Sequence, residues 1–216
     1  SYLYQLYQKN PVITTDSRNC PEGSIFFALK GASFDGNLFA IQALEKGCAY
    51  AVIDDPQVAE DKQAEEKGLH DRLILVDDVL RTFQQLAREH RRQFNIPVVG
   101  ITGTNGKTTT VSLLGEIFAN SGKVTHVVGN IGYPFSLASL VSRKEDMIVC
   151  EVSSFQMETA DTFHPHVALL TNITEDHLNR HGTMEVYTAL KMRMFARQTE
   201  SDWAVFNADD PGLNGL

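Results

Sequence analysis

The sequence predicts an α/β protein in which a small first domain precedes a second domain built on a doubly wound parallel sheet. Short apolar runs, typical of strands, alternate with stretches of helical periodicity along most of the 216 residues. Asn95-Ile96-Pro97 interrupts this alternation. Immediately afterwards, the apolar run at 98–102 leads into a glycine-rich turn. We therefore predict two domains, 1–96 and 97–216.

The composition narrows the class of protein. With 43% hydrophobic and 21% charged residues, the chain fits a soluble globular protein, and we expect neither a signal peptide nor a membrane span. A net charge of -8 disfavours nucleic acid as a partner. The scattered cysteines, Cys20, Cys48 and Cys150, indicate reduced thiols in a cytoplasm and show no metal-ligand spacing.

In the first domain, three strands are expected to alternate with two helices. The strands are predicted at 24–29, 49–53 and 73–76, and the helices at 37–45 and 79–94. The charged stretch at 60–71 is expected to be an exposed loop or helix.

The second domain is expected to contain five strands and two helices. The strands are predicted at 98–102, 124–128, 147–152, 167–171 and 203–207, and the helices at 108–121 and 186–198. Strands separated by helices imply a parallel sheet whose ligands bind at the carboxyl ends of the strands. Three segments (GTNGKT, EVSS and NITEDH) each end or follow a predicted strand. We therefore expect them on one rim of the sheet.

The strongest motif is a phosphate-binding loop between the strand at 98–102 and the helix at 108–121. Small residues let backbone N–H groups approach phosphates, a lysine reaches the β/γ oxygens, and a hydroxyl at the helix start suits Mg²⁺. The loop is shorter than the ordinary Walker A motif, since Ile101 stands where that motif has its first glycine. Its residues are Gly103-Thr104-Asn105-Gly106-Lys107-Thr108-Thr109.

This shortened loop resembles that of the Mur ligases and their folylpolyglutamate synthetase relatives. Several further motifs occur in the same order as in the central domain of the D-glutamate-adding Mur ligases, and EVSSFQ is the most discriminating of them. These motifs are Gly129-Asn130-Ile131-Gly132, Glu151-Val152-Ser153-Ser154-Phe155-Gln156, Asn172-Ile173-Thr174-Glu175-Asp176-His177, Arg180-His181-Gly182, Tyr187 with Lys191, and Asn207-Ala208-Asp209-Asp210.

The resemblance implies a site for ATP and two Mg²⁺ ions. Thr108 and Glu151 would hold the first ion, and His177 and Lys191 the second, with Lys191 carbamylated by CO₂ into an anion. From the residues alone, a glutamate can instead cap a helix or form a salt bridge, a lone histidine is more often structural, and a helical lysine is usually a solvated charge.

The resemblance also implies the reaction. Lys107 and the metal ions would neutralise the γ-phosphate during its transfer to a substrate carboxylate. An amino acid would then attack the acyl phosphate through its amine. Asn130 would hydrogen-bond the acyl-phosphate region, and Ser153 would contact the UDP-sugar substrate.

Motifs in the first domain resemble a different branch of the family. Ser17, Arg18, Lys30 and Asp35 lie in segments similar to the uridine-nucleotide-binding domain of the diaminopimelate- or lysine-adding and D-alanyl-D-alanine-adding Mur ligases, most closely the latter. These residues are candidates for UDP binding, although glycine-rich turns can also merely close hairpins. The glycine-rich turn with which a D-glutamate ligase would open is not present. An engineered hybrid and a natural enzyme of mixed ancestry both remain open.

By the same resemblance, the chain stops inside the central domain, before the adenine contacts and the third domain that binds the amino acid. We therefore expect a two-domain fragment of a monomeric cytoplasmic ligase, acting on a UDP-N-acetylmuramoyl-peptide and an amino acid and inactive alone. The alternatives are a D-alanyl-D-alanine-adding ligase and a nucleotide-binding module without catalysis. A P-loop transporter or GTPase is disfavoured by the loop spacing.

Overall fold

The protein divides into two compact units in the computed structural model, which describes residues 1–213. The first unit comprises Ser1–Gln93 together with Ser139–Val141, and the second begins at Phe94 and continues from Ser142 onward. No helix within 1–213 is long and apolar enough to cross a membrane.

The first unit is built on a four-stranded parallel sheet in the order β1-β2-β3-β4. Its strands are β1 Ile13–Thr14, β2 Ile25–Phe27, β3 Tyr50–Ile53 and β4 Leu73–Leu75. Its helices are α1 Tyr2–Lys9, α2 Ala40–Glu45, α3 Pro56–Ala59, α4 Lys62–Glu66 and α5 Val79–Arg91, with 3-10 turns at Gly36–Phe39 and His70–Arg72. Since all strands run the same way, the loops that follow β1, β2 and β3 meet at one edge of this sheet.

Helix α5 shows how the sequence directs one face of a helix into this core. The Asp78 side chain accepts a hydrogen bond from the N–H of Arg81 and caps the helix. Val79, Phe83 and Leu86 are buried at helical spacing, and the Phe83 ring lies 5.1 Å from that of Phe27 on β2.

The second unit contains a five-stranded parallel sheet in the order β6-β7-β5-β8-β9. Its strands are β5 Val98–Thr102, β6 Thr125–Gly129, β7 Met147–Glu151, β8 Val167–Leu170 and β9 Trp203–Phe206. The helices after β5 are α6 Lys107–Asn120, α7 Phe135–Val141, α8 Ser154–Met157, α9 Leu178–His181 and α10 Met184–Met192, and a 3-10 turn follows at Arg193–Phe195. The α/β fold class predicted from the sequence is confirmed.

Strand β5 lies at the centre of this sheet, between β7 and β8, and is buried along its whole length. The chain continues from β5 to one side of the sheet and later returns to the other side, so the order reverses beside β5. In a parallel sheet this reversal opens a crevice at the carboxyl ends of the central strands. The loops after β5, β7 and β8 therefore border that crevice.

The structure differs from the sequence prediction in two helices. The stretch at 186–198 is an α-helix only to Met192, after which Arg193–Phe195 tightens into a 3-10 turn. The stretch at 37–45 begins as a 3-10 turn at Gly36–Phe39, where Asp35 caps the N–H of Asn37. Six elements were not predicted, namely α1, β1, α3, α7, α8 and α9. Most of them are too short for periodicity to reveal.

Candidate active site

The phosphate loop joins the central strand β5 directly to helix α6. Gly103 has a φ of 143°, and a Cβ atom there would lie 2.0 Å from the Thr171 hydroxyl, so only glycine fits this position. Gly106 has a φ of 80° and stands at the N-cap of α6. The first N–H groups of a helix have no hydrogen-bond partner within the helix. Those of Lys107 and Thr108 are therefore able to bind an anion at the start of α6.

Asn172, in the loop after the neighbouring strand β8, forms three hydrogen bonds with the phosphate loop. Its backbone oxygen accepts from Thr104 N at 3.0 Å, and its side-chain oxygen accepts from Asn105 N at 2.8 Å. Its amide also donates to Asn105 O at 3.0 Å. The sequence analysis did not assign this residue, although it opens the NITEDH segment expected on the same rim.

Two lysine ammonium groups converge on one backbone carbonyl of the loop. Lys107 Nζ donates to Gly103 O at 3.0 Å and to Thr104 O at 2.9 Å, and Lys191 Nζ donates to Gly103 O at 2.7 Å. Lys191 is only 1% exposed, and its Nζ lies 4.5 Å from the centre of the Tyr187 ring. The phosphate loop is thus flanked by two positive charges.

The environment of Lys191 makes its ammonium group easier to deprotonate than that of an ordinary lysine. Burial, followed by the charge of Lys107, lowers the pKa of Lys191 from 10.5 to about 8, while Asp176 acts in the opposite direction. The Tyr187 hydroxyl, 3.2 Å from Thr104 Oγ1, fixes the helix that carries Lys191 against the loop. Lys191 is therefore a core residue and not a solvated surface charge.

Glu151 ends strand β7 with a buried carboxylate beside the loop. Thr108 Oγ1 donates to its Oε2 at 2.8 Å, and Asn130 Nδ2 donates to its Oε1 at 3.0 Å. Thr108, Asn130 and Glu151 thus meet, as expected for segments on one rim. A carboxylate and a hydroxyl are hard oxygen ligands of the kind Mg²⁺ takes together with phosphate oxygens. Within the described residues, no three His, Cys, Asp or Glu side chains are grouped to hold a metal ion.

His177 precedes helix α9 in a left-handed conformation, with a φ of 53°. It is the one non-glycine residue in the described part of the chain with positive φ. Its Nε2 lies 3.3 Å from Asp176 Oδ2, and its ring centre lies 4.8 Å from that of Phe155. The side chain is half exposed, and its role in metal binding stays a prediction.

Ser153 has a structural use that the sequence analysis did not foresee. It is the N-cap of α8 and forms a capping box with Gln156, whose N–H donates to Ser153 Oγ at 3.3 Å. Ser153 Oγ in turn donates to Gln156 Oε1 at 3.1 Å. Donating a hydrogen bond to a substrate would need this hydroxyl to leave Gln156 Oε1, whereas its second lone pair could still accept one.

In the first unit, Lys30 and Asp35 belong to one polar network after β2. Lys30 Nζ pairs with Asp54 Oδ1 at 2.8 Å, and Asn37 Nδ2 donates to both Asp35 Oδ1 and Asp54 Oδ1 at 2.8 Å. Asn37 and Asp54 were not predicted as site residues from the sequence, although Asp54 directly follows the apolar strand β3.

Ser17 and Arg18 lie in the loop after β1 and have other partners. The Arg18 guanidinium donates to both carboxylate oxygens of Asp16 at 2.9 Å, and the backbone oxygen of Ser17 accepts from Lys46 Nζ at 2.8 Å. The structure thus places the four UDP candidates in two separate networks of the same unit.

Comparison with known families gives two matches. The model described as Mur ligase middle domain matches residues 101–215, and the model described as Mur ligase family, catalytic domain, matches residues 11–91. The first of these alone covers more than half of the chain.

Similar curated proteins match over about half of the chain. The UDP-N-acetylmuramoylalanine–D-glutamate ligase of Pelotomaculum thermopropionicum is 59% identical over 117 residues, which cover 53% of this chain and 25% of that protein. The ligase of the same name from Caldanaerobacter subterraneus is 52% identical over 120 residues, which cover 56% of this chain and 27% of that protein. The matching region is about a quarter of the length of these relatives.

Similar solved structures match over nearly the whole chain. MurF ligase from Thermotoga maritima in complex with ADP has a TM-score of 0.76 at 30% identity, covering 94% of this chain and 47% of that one. MurF from Acinetobacter baumannii has a TM-score of 0.70 at 25% identity, covering 96% of this chain and 48% of that one. The chain therefore corresponds to about half of each of these structures.

Proposed function

The chain belongs to the Mur ligase family, whose members are ATP-dependent ligases, and we propose that it carries the Mg-ATP site of an ADP-forming amide ligase of peptidoglycan precursor synthesis. The observation that carries this proposal is the contact of Thr108, at the start of α6, with the buried Glu151 carboxylate at 2.8 Å. It brings a hydroxyl, a carboxylate and a helix N-terminus together beside Lys107, the combination that a magnesium-bound triphosphate requires. The similar Thermotoga maritima structure is a complex with ADP, which supports nucleotide binding by this chain.

In this proposal the loop residues Gly103, Thr104, Asn105, Gly106, Lys107, Thr108 and Thr109 bind the triphosphate. N–H groups at the start of α6 donate to phosphate oxygens. The Lys107 ammonium leaves its carbonyl partners Gly103 O and Thr104 O for the γ-phosphate, where charge develops during transfer. The Asn130 amide now donates to the Glu151 carboxylate. In the proposed reaction it would turn from that carboxylate toward the acyl phosphate.

Thr108 and Glu151 would hold one Mg²⁺, and His177 and Lys191 a second. When bound there, magnesium would neutralise negative charge on the phosphates and on the reacting carboxylate. The Thr108 hydroxyl and the Glu151 carboxylate fit this ion through their oxygen chemistry, with water and phosphate completing its shell.

Lys191 is proposed to be carbamylated. A neutral amine is the form that attacks CO₂, and Lys191 has the burial and the neighbouring cation that favour it. The new C–N bond replaces a proton of the amine and leaves an anionic carboxylate group. That anion would sit beside Lys107, which would stabilise it.

We propose that the first unit binds the uridine nucleotide of a UDP-N-acetylmuramoyl-peptide. Lys30, paired with Asp54 at the carboxyl edge of the sheet, and Arg18, paired with Asp16, are the cations available for the diphosphate. Ser17 and Asp35 would contribute polar groups from the same loops, and Ser153 would contact the sugar from α8.

We propose that the amino acid added is D-glutamate, with UDP-N-acetylmuramoyl-L-alanine as the acceptor. Identities of 52–59% to proteins named as D-glutamate ligases support this choice. The D-alanyl-D-alanine-adding ligase is the second candidate, because the MurF structures are similar over 94–96% of the chain. The whole enzyme is proposed to be a cytoplasmic monomer.

An activity assay on the whole protein that contains these residues tests this function directly. It is incubated with Mg-ATP and each of two pairs: UDP-N-acetylmuramoyl-L-alanine with D-glutamate, or the UDP-muramoyl tripeptide with D-alanyl-D-alanine. We expect ADP release and a ligated product, identified by mass, only with the first pair. A product only with the second pair would establish the sister activity. Nucleotide binding without product from either pair would establish a binding module.

A further inference from the structure

The two cysteines of the first unit, Cys20 and Cys48, lie in contact although they are far apart in the sequence. Cys20 packs against the buried cluster of which Cys48 is a member, and the two thiols are near enough for each to affect the ionisation of the other. Both are free thiols, as expected from the sequence, but the fold brings the loop after β1 onto the segment before β3.

The backbone on both sides of the pair is fastened. Ser24 Oγ lies 3.2 Å from Cys48 Sγ, and Gly23 N donates to Gly47 O at 2.8 Å. On the other side, Lys46 Nζ donates to Ser17 O at 2.8 Å. These contacts hold the two short segments together whether or not the sulfurs are bonded.

The two thiols differ in access. Cys20 is partly exposed, and its Sγ lies 3.4 Å from Ser17 O, whereas Cys48 is fully buried at 0% exposure. Burial raises the pKa of the Cys48 thiol to about 11. Cys20 is therefore the thiol that a dissolved reagent meets first, and Cys48 is the thiol placed to displace that reagent.

We propose that Cys20 and Cys48 form a dithiol that closes to an intramolecular disulfide on reaction with a small disulfide such as oxidised glutathione. The Cys20 thiolate attacks one glutathione sulfur, forms a mixed disulfide and releases glutathione thiolate. Cys48, having lost its proton to solvent, then attacks Cys20 Sγ and releases the second glutathione. Two protein thiols lose two protons and two electrons, and one small disulfide is reduced to two thiols.

Closure links the loop that carries Ser17 and Arg18 to the residue just before β3. Its effect on uridine-nucleotide binding rests on the function proposed for those two residues. Formation of the bond does not rest on it. The experiment below measures only the bond, so its failure and the failure of the proposed function are distinguishable.

The test is equilibration of the intact, folded chain with oxidised glutathione at pH 8, followed by denaturation, alkylation and mass spectrometry. Of the three cysteines, we expect only Cys150, which is buried on β7, to be alkylated in the product. Tryptic digestion without reduction should yield the peptides 19–30 and 47–62 joined to each other and lighter by two hydrogen atoms. Reduction should restore three alkylated thiols.

Two matched variants separate the roles of the sulfurs. Cys48→Ser should stop at the mixed disulfide, so that Cys20 carries glutathione. Cys20→Ser should leave Cys48 free because its thiol is buried. If wild-type protein retains three free thiols, or accumulates glutathione on Cys20 without the internal link, the proposal is overturned.

Discussion

At the scale of single residues, the site is defined by two buried ionisable groups of opposite sign. Glu151 has hydrogen bonds from Thr108 and Asn130, and Lys191 donates to the Gly103 carbonyl. Burying a charge is costly unless neighbours compensate it, so such groups are uncommon outside functional sites. The sequence predicted the position of Glu151 at a strand end. It could not show the burial of Lys191, which depends on how α10 packs.

Replacing Glu151 with glutamine is expected to reduce the magnesium dependence of ATP binding. The amide keeps the size of the side chain. Its oxygen can still accept from Asn130 and its NH₂ can donate to the Thr108 hydroxyl, but it lacks the charge that attracts the ion. We expect the gain in ATP affinity on adding Mg²⁺ to fall by roughly tenfold, about 1.4 kcal/mol. Calorimetry with and without Mg²⁺ measures it, with Glu116→Gln on the exposed side of α6 as the control. An unchanged gain would remove Glu151 from the metal site.

Lys191 should bind CO₂ as a carbamate. With ¹³C-labelled bicarbonate, wild-type protein should show a carbonyl NMR signal that Lys191→Arg lacks. Because only the neutral amine reacts and its pKa is lowered to about 8, the signal at a fixed concentration of dissolved CO₂ should grow as the pH rises through 8. In the whole enzyme, Lys191→Ala should lose activity that short carboxylates partly restore. Wild-type activity in that variant would make the lysine an ordinary structural residue.

At the scale of elements, the strand–loop–helix unit of β5 and α6 was predictable because each part has a local signal. The apolar run, the two glycines and the following helix are contiguous in the sequence. The bracing of the loop by Asn172 and by Tyr187 was not predictable, since these contacts join residues about 70 or more positions apart. Short helices such as α8 and α9 were not predicted, because four residues are too few to show helical periodicity.

Gly103→Ala is expected to disrupt this unit far more than an equivalent change elsewhere. A methyl group at a φ of 143° would meet the Thr171 hydroxyl at 2.0 Å, adding a steric clash to backbone strain. We expect unfolding to become easier by about 2–4 kcal/mol. Gly122→Ala, at a φ of 83° with open space around it, should cost only about 1 kcal/mol. Equal losses in denaturant titrations would show that the close packing of the loop on Thr171 is not maintained in solution.

At the scale of the whole molecule, the sequence predicted the α/β fold class, a parallel sheet in the second region and a family, and all three are confirmed. The sheet of the first unit is also parallel, which was not predicted. The motifs in the two regions resemble different branches of that family. The comparisons show a related division, with D-glutamate ligases similar over about half the chain and MurF structures over nearly all of it. Sequence patterns could locate the UDP candidates but not their partners. Ser17 and Arg18 occupy a different network from Lys30 and Asp35 because loops from different strands carry them.

The central claim, a magnesium–triphosphate site at the start of α6, is tested most directly by calorimetry of Mg-ATP binding to wild-type chain and to Lys107→Ala. The ammonium group of Lys107 should form a charge-assisted contact with the phosphates, so its loss should weaken binding by about 1.5–3 kcal/mol. Lys123→Ala, at an exposed position after the same helix, should bind as wild type does. Equal affinity of Lys107→Ala and wild type for Mg-ATP would contradict the assignment of the loop.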